Sequence, residues 1–332
     1  KPRELNWIIG VLLFWVGFLE GFLGYSLPDD ALSGTGLRIG HAIMLSVPVV
    51  GTWLADSLFG GEFPGGGVII PRFYGLHVLI LPAVLVALVS VHLGLLVLQK
   101  HTQWPGPGRT NQNVVGERMV PRYALKMGGF FLLVAAAIAL LGGLFQINPM
   151  WLFGPYNAAV VSAASQPDWY VMFLDGAARL FPAWEIRAFG YTLPAPFWPA
   201  VLMPGIITIV PILYPFLEAR FTRDRQSHHL LQRPRDVPFR TALAAMGVSF
   251  FIILLLSGAN DVIADKFHIS LNAMTWAGRI RLLIVPPIAY YVAYRICLGL
   301  QQHDREVLAH GVETGIIKRL PDGRFIEVHQ PL

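Results

Sequence analysis

The chain has 332 residues, 55% of them hydrophobic and 14% charged, with a formal net charge of +5. Soluble domains carry about 25% charged residues, so the composition excludes an ordinary water-soluble globule and points to a membrane protein. The single cysteine, Cys297, excludes an internal disulfide, a C-x-x-C-H haem attachment and a cysteine-ligated iron–sulfur cluster.

The first apolar stretch, 6–25, carries Gly10, Gly24 and the acid Glu20. It is long enough to span about 30 Å of hydrocarbon. The chain begins at Lys1, without Met or signal peptide, directly before this span, and reads as truncated at its N-terminus. The loop 26–72 is moderately apolar, and one or two short interfacial helices are expected in it. The second span, 73–98, holds no Asp, Glu, Lys or Arg but includes His77 and His92. The loop 99–127 is polar and rich in Gly and Pro, the best candidate for a boundary between halves. A third span follows at 128–147.

The loop 148–195 contains "QPDWYVMFLDGAARLF" (166–181). This reads as a short amphipathic helix, with Asp175 and Arg179 at i,i+4 and Asp168 near its N-cap. The fourth span, 196–217, is uncharged and Pro-rich. The loop 218–241 is basic, the last spans are 242–258 and 282–300, and the tail 301–332 is polar. The expected fold is therefore all-α, a multi-pass transmembrane helical bundle of six spans with interfacial helices in the outer loops.

Orientation follows from Lys and Arg. With the N-terminus cytoplasmic, residues 1–5, 99–127, 218–241, Arg295 and 301–332 hold 18 of the 25 basic residues. The excess places both ends of the chain in the cytoplasm. The net positive charge then reflects topology, and no nucleic-acid partner is expected.

His77 and His92 are fifteen residues apart, about 22 Å along a helix, and point broadly the same way. Polar residues inside a span face the bundle interior. The imidazoles could ligate a cofactor at two depths or hydrogen-bond neighbouring helices. Gly10 and Gly24 admit close approach of something bulky or serve helix packing. Arg72 could pair with a carboxylate or reach for interfacial water. A partly desolvated Asp168 can accept a proton. Two further classes fit these residues: a haem-free proton-conducting transporter or channel subunit using Glu20, His77 and His92, and a purely structural membrane subunit.

Taken together the motifs resemble cytochrome b of respiratory cytochrome bc complexes, over essentially the whole chain from that family's third helix onward. "NWIIGVLL" and "FLGYSLP" look like the ends of the third helix, with Gly10 and Gly24 as its haem-packing glycines. "PRFYGLH" looks like the start of the fourth, with Arg72 on a haem propionate and His77 as a haem ligand. His92 then stands at the longer of the family's two ligand spacings. "PDWY" stands where the family has Pro-Glu-Trp-Tyr. "LLQRPRDVPFRT", "KFHISLNA" and "HGVETGIIKRLPDG" look actinobacterial.

The resemblance implies residues 1–110 as the C-terminal part of a haem-binding bundle, 111–300 as a four-span domain and 301–332 as a cytoplasmic tail. It implies a plasma-membrane quinol–cytochrome c oxidoreductase subunit that couples quinol oxidation to proton translocation. Two non-covalent b-type haems would sit at His77 and His92. Quinol would bind among Leu32, Gly36, Leu37, Ile39, Gly40, Pro167, Leu174 and Asp175, with Asp168 and Tyr170 catalytic. Implied partners are a Rieske iron–sulfur subunit, a cytochrome c subunit, a terminal-oxidase supercomplex, a second copy of the chain, and lipid.

The sequence departs from the family in three places. The helix that supplies the second axial histidine of each haem is not in this sequence, and His41, on the loop, cannot replace it. The motif acid is Asp where Glu is usual. Met127 follows Lys126, where the family often has Asp at the inner quinone site.

Overall fold

A computed structural model of the chain describes residues 3–65, 67–145, 150–160 and 166–330; Lys1, counted above, lies outside them. Among these residues six helices are long and apolar enough to cross a membrane: Glu4–Ser26, Ile69–Gln99, Met119–Leu144, Trp198–Thr222, Pro238–Gly258 and Leu271–His310. They are the six spans expected from the sequence. The chain divides into two compact units, Lys1–Leu231 and Gln232–Leu332.

In the first unit, α1 (Glu4–Ser26) ends where Ser26 Oγ donates to the Phe22 carbonyl at 2.8 Å. Asp30 starts α2 (Ala31–Leu45) through a capping box. Its carboxylate accepts Ser33 N–H at 2.8 Å, and Ser33 Oγ accepts Asp30 N–H at 3.1 Å, so two otherwise unpaired donors are satisfied. Helix α3 (Gly51–Phe59) closes at Gly60, whose φ of 74° suits glycine. Helix α4 (Ile69–Gly75) runs through a π-helical turn, Leu76–Ile80, into α5 (Leu81–Gln99). Leu23, Leu37, Phe59, Ile69 and Phe73 form the buried cluster that joins α1 to α4. Helix α2 and helix α3 are the short helices expected in the 26–72 loop.

Helix α6 (Ala124–Leu144) follows, and none of its residues is buried; the same holds for α5. Apolar flanks of this kind suit lipid tails. After α7 (Met150–Phe153) come α8 (Met172–Leu180) and a hairpin of β1 (Ile186–Ala188) and β2 (Tyr191–Leu193). Positive φ at Phe189 and Gly190 makes its two-residue turn. Helix α9 (Met203–Thr222) keeps Pro211 and Pro215 inside it. Pro215 has no N–H for the carbonyl four residues back, which belongs to Pro211. Trp7 Nε1 on α1 donates to that carbonyl at 2.6 Å, so a tertiary contact replaces the lost helical bond.

In the second unit, α10 (Pro238–Gly258), α11 (Asn260–Phe267) and α12 (Leu271–His310) are followed by a hairpin of β3 (Val312–Arg319) and β4 (Phe325–Gln330). Ser270 caps α12 by accepting Ala273 N–H at 3.2 Å. Arg235 holds Asp304 at 2.9 Å. The polar stretch from residue 301 thus begins inside α12 and ends in strands. Both hairpins are additions to the helical pattern expected from the sequence.

Candidate functional site

Helix α1 organises the site by presenting different faces to three partners. One face meets α4 and α5. A β-carbon built on Gly24 would lie 2.6 Å from His77 Cε1, and one on Gly10 would lie 3.7 Å from His92 Cε1. The two glycines and the two histidines therefore pair in antiparallel order. In an unbroken α-helix fifteen residues rotate four turns plus roughly 60°. The turn Leu76–Ile80 closes i→i+5, with Leu81 N–H bonding the Leu76 carbonyl, and takes up an extra residue. That wider turn offsets the rotation, and both imidazoles reach α1.

His77 Nδ1 lies 3.1 Å from Glu20 Oε1 and 3.1 Å from the Glu20 carbonyl. His92 Nδ1 is buried and has no hydrogen-bond partner among the described residues.

A second face of α1 carries Phe18, Gly21 and Tyr25 at i, i+3 and i+7, which align on a helix. Tyr170 packs edge-on against Phe18 with centroids 5.6 Å apart. It lies so close to Gly21 that a β-carbon there would be 3.0 Å from its hydroxyl oxygen. Phe173, on α8, also meets Phe18. The Tyr170 hydroxyl donates to the Asp168 carboxylate, and burial raises the Asp168 pKa while this bond pulls it back. Burial and the neighbouring carboxylate push the Tyr170 hydroxyl up as well.

Asp168 is not the helix cap expected from the sequence. Helix α8 starts at Met172 after Val171, with no side chain on its first N–H groups. The Asp168 carbonyl accepts Val171 N–H at 2.9 Å and Met172 N–H at 3.0 Å. A turn through Trp169 and Tyr170 separates the acid from the helix, and its carboxylate is engaged by Tyr170. Asp175 and Arg179 do pair, Nε to Oδ2 at 2.7 Å.

A third face receives α2. Gly40 sits under Phe22 and Gly36 under Tyr25, with built β-carbons 3.1 and 3.7 Å from those rings. Leu32 and Leu37 are buried, Ile39 is 55% exposed, and Pro167, Leu174 and Asp175 are half-buried. Helix α2 thus packs on the C-terminal half of α1 with Ile39 turned outward, and Tyr170 and Phe173, chain neighbours of Pro167, Leu174 and Asp175, meet α1 as well. A cavity of about 580 Å³ lies past the other end of α8, lined by Phe181, Trp184, Ile186 and Trp198.

Arg72 Nη1 donates to the carbonyls of Ser57 and Leu58 at 2.7 and 2.6 Å, binding the C-terminal turn of α3. His41 packs edge-on to Phe59, centroids 4.7 Å apart, and burial lowers its pKa; it belongs to the loop core. Lys126 pairs with Glu117 at 2.6 Å, and Met127 is 43% exposed.

Residues 1–155 match the family model described as Cytochrome b(N-terminal)/b6/petB. Over 333 aligned residues the chain is 56% identical to the Mycobacterium tuberculosis "Cytochrome bc1 complex cytochrome b subunit", covering all of this chain and 60% of that protein. The protein of the same name from Corynebacterium diphtheriae is 54% identical, and that from Streptomyces coelicolor 48%, each with 61% of its length covered. Along its whole length the chain is thus similar to cytochrome b subunits. Its relatives here are actinobacterial, as the sequence suggested, and the chain spans about three-fifths of their length. A chain of a solved "Hyperthermophilic respiratory Complex III" shares the fold, with a TM-score of 0.59 at 24% identity over 89% of this chain and 72% of that one.

Six apolar helices and these relatives make this chain a multi-pass membrane protein. Similarity to cytochrome b also implies b-type haem. The residues present fit that group: two imidazoles on one span, each opposite a glycine of α1.

Proposed function

We propose that this chain oxidises quinol and passes its electrons across the membrane, with His77 and His92 each giving one axial ligand to a separate b-type haem. The observation that carries this reading is the division of labour on α1. Gly10 and Gly24 meet the two histidines, while Gly21 and Phe18 meet the tyrosine that holds Asp168. Bound haem supplies one-electron transfer over the roughly 22 Å between the histidines.

The quinol site lies at the outer face, between α2 and the 166–175 segment, and an inner quinone site lies at the opposite face. Asp168 accepts a proton from quinol as general base, and Tyr170 orients it. Arg72 takes a haem propionate in addition to the α3 carbonyls. The excess of basic residues sets both ends of the chain in the cytoplasm. The proposed setting is a plasma-membrane quinol–cytochrome c oxidoreductase that translocates protons. Its other parts are a Rieske iron–sulfur subunit, a cytochrome c subunit, a second copy of this chain and a terminal-oxidase supercomplex.

Adding a quinol analogue to the membrane protein tests the reading directly. Reduction of a b-type chromophore is expected, and a silent spectrum would refute it. The protonation state of Asp168 gives a second test. A base must be ionised, and burial raises the Asp168 pKa. Turnover should therefore fall on acidification at a pH above the ordinary carboxylate range. Tyr170→Phe removes the bond that lowers that pKa, so its acid limb should move to higher pH. An unshifted limb would show that Tyr170 does not act through Asp168.

Glycine substitutions separate the two haem positions. Gly24→Ala brings a methyl into the His77 ring, whereas Gly10→Ala makes an ordinary contact with His92. Overpacking costs about 1–3 kcal/mol, so Gly24→Ala should perturb one haem spectrum and Gly10→Ala neither. Equal perturbation by both would contradict the pairing.

A further inference from the structure

Glu20 is an acid inside a membrane-spanning helix, a placement that is costly without a purpose. Its side chain is only 20% exposed, and Oε1 lies 3.1 Å from His77 Nδ1. Its own backbone carbonyl is 3.1 Å from the same nitrogen. Its Oε2 is buried and unpartnered among the described residues. Among the described residues no Lys or Arg pairs with it; the imidazole is what it addresses. His92, by contrast, has a buried Nδ1 with no hydrogen-bond partner among the described residues.

We propose that Glu20 is a positioning residue for His77, an inference that rests on the reading of His77 as a haem ligand. Nδ1–H donates to the Glu20 oxygens. That donation fixes the tautomer that leaves the Nε2 lone pair available, and it makes Nε2 a stronger donor to iron. A stronger donor favours the oxidised metal and lowers the potential of that haem. Because His92 Nδ1 has no such acceptor among the described residues, the two positions are electronically unlike. The backbone carbonyl of residue 20 remains as an acceptor whatever side chain stands there. Removing the carboxylate therefore retunes His77 without releasing it.

The test is an equilibrium redox titration of the membrane protein, with low-temperature electron paramagnetic resonance of the oxidised haems, in Glu20→Gln and Glu20→Leu. Glu20→Gln keeps an oxygen acceptor without the carboxylate; Glu20→Leu keeps neither. Both variants should retain both haems. One component should shift to higher potential, further in Leu than in Gln, with its resonance moved and the other component unchanged. If both components stay at wild-type potentials in the Leu variant, Glu20 does not tune His77. Should that variant fail to assemble, wild-type potentials and resonances in the Gln variant overturn the proposal equally. His77→Leu distinguishes this failure from failure of the ligand reading. It should lose the component that Glu20 shifts, and retention of both haems would show that His77 is not a ligand.

Discussion

Asp168→Asn should lower quinol turnover by at least about 10-fold while the haem spectra and the fold stay as in the unsubstituted protein. General-base assistance is typically worth about 100- to 10,000-fold, and partial substitution by water or Tyr170 sets the smaller bound. The variant is a clean probe because the carboxylate caps no helix: α8 begins at Met172, and only the Asp168 backbone carbonyl meets its first turn. Asparagine keeps that carbonyl and still offers Tyr170 an oxygen acceptor, so little local structure is lost. What it cannot do is take a proton. The acid limb attributed to Asp168 should therefore vanish from the pH profile of the residual activity. Steady-state turnover across pH 6 to 8 decides the matter. A wild-type rate throughout would leave Asp168 as a partner for Tyr170 and nothing more.

His92→Leu should remove one b-type haem completely and leave the other. The imidazole is set opposite Gly10 at the far end of α5 from His77, and leucine of similar bulk offers no ligand. Its Nδ1 has no described partner, so the substitution breaks no visible hydrogen bond. The loss should appear as half the haem per polypeptide. His77→Leu should remove the complementary component. Retention of both haems in His92→Leu would end that assignment.

Much of this arrangement is legible before folding. Six spans follow from the length and apolarity of the segments, and the uncharged second span isolates His77 and His92 as its ionisable side chains. The glycine spacing on α1 and the histidine spacing on the second span are both readable along the sequence, and they differ by the one residue that the π-helical turn takes up. Other features depend on what meets what. The contact of Tyr170 with Gly21 joins segments about 150 positions apart, and only the alignment of Phe18, Gly21 and Tyr25 hints at it. The π-helical turn that carries His77 is marked only by Pro82 just after it, which has no N–H for a regular helical bond. Asp168 followed by an amphipathic run looks like a cap, and the Trp169–Tyr170 turn that displaces it is a tertiary outcome. The β3–β4 hairpin had a signal that the helical reading passed over: "LPDGRF" sets a turn sequence between two β-prone runs.

The central claim is that His77 and His92 hold b-type haems at two depths of one membrane helix. Redox titration of the haem absorption in the membrane protein, normalised to polypeptide by haem extraction, tests it most directly. In membrane protein that supplies both axial ligands of each haem, two b-type components are expected, one lost with each histidine. No b-type absorption in that protein, or one component that survives both His77→Leu and His92→Leu, would contradict the account.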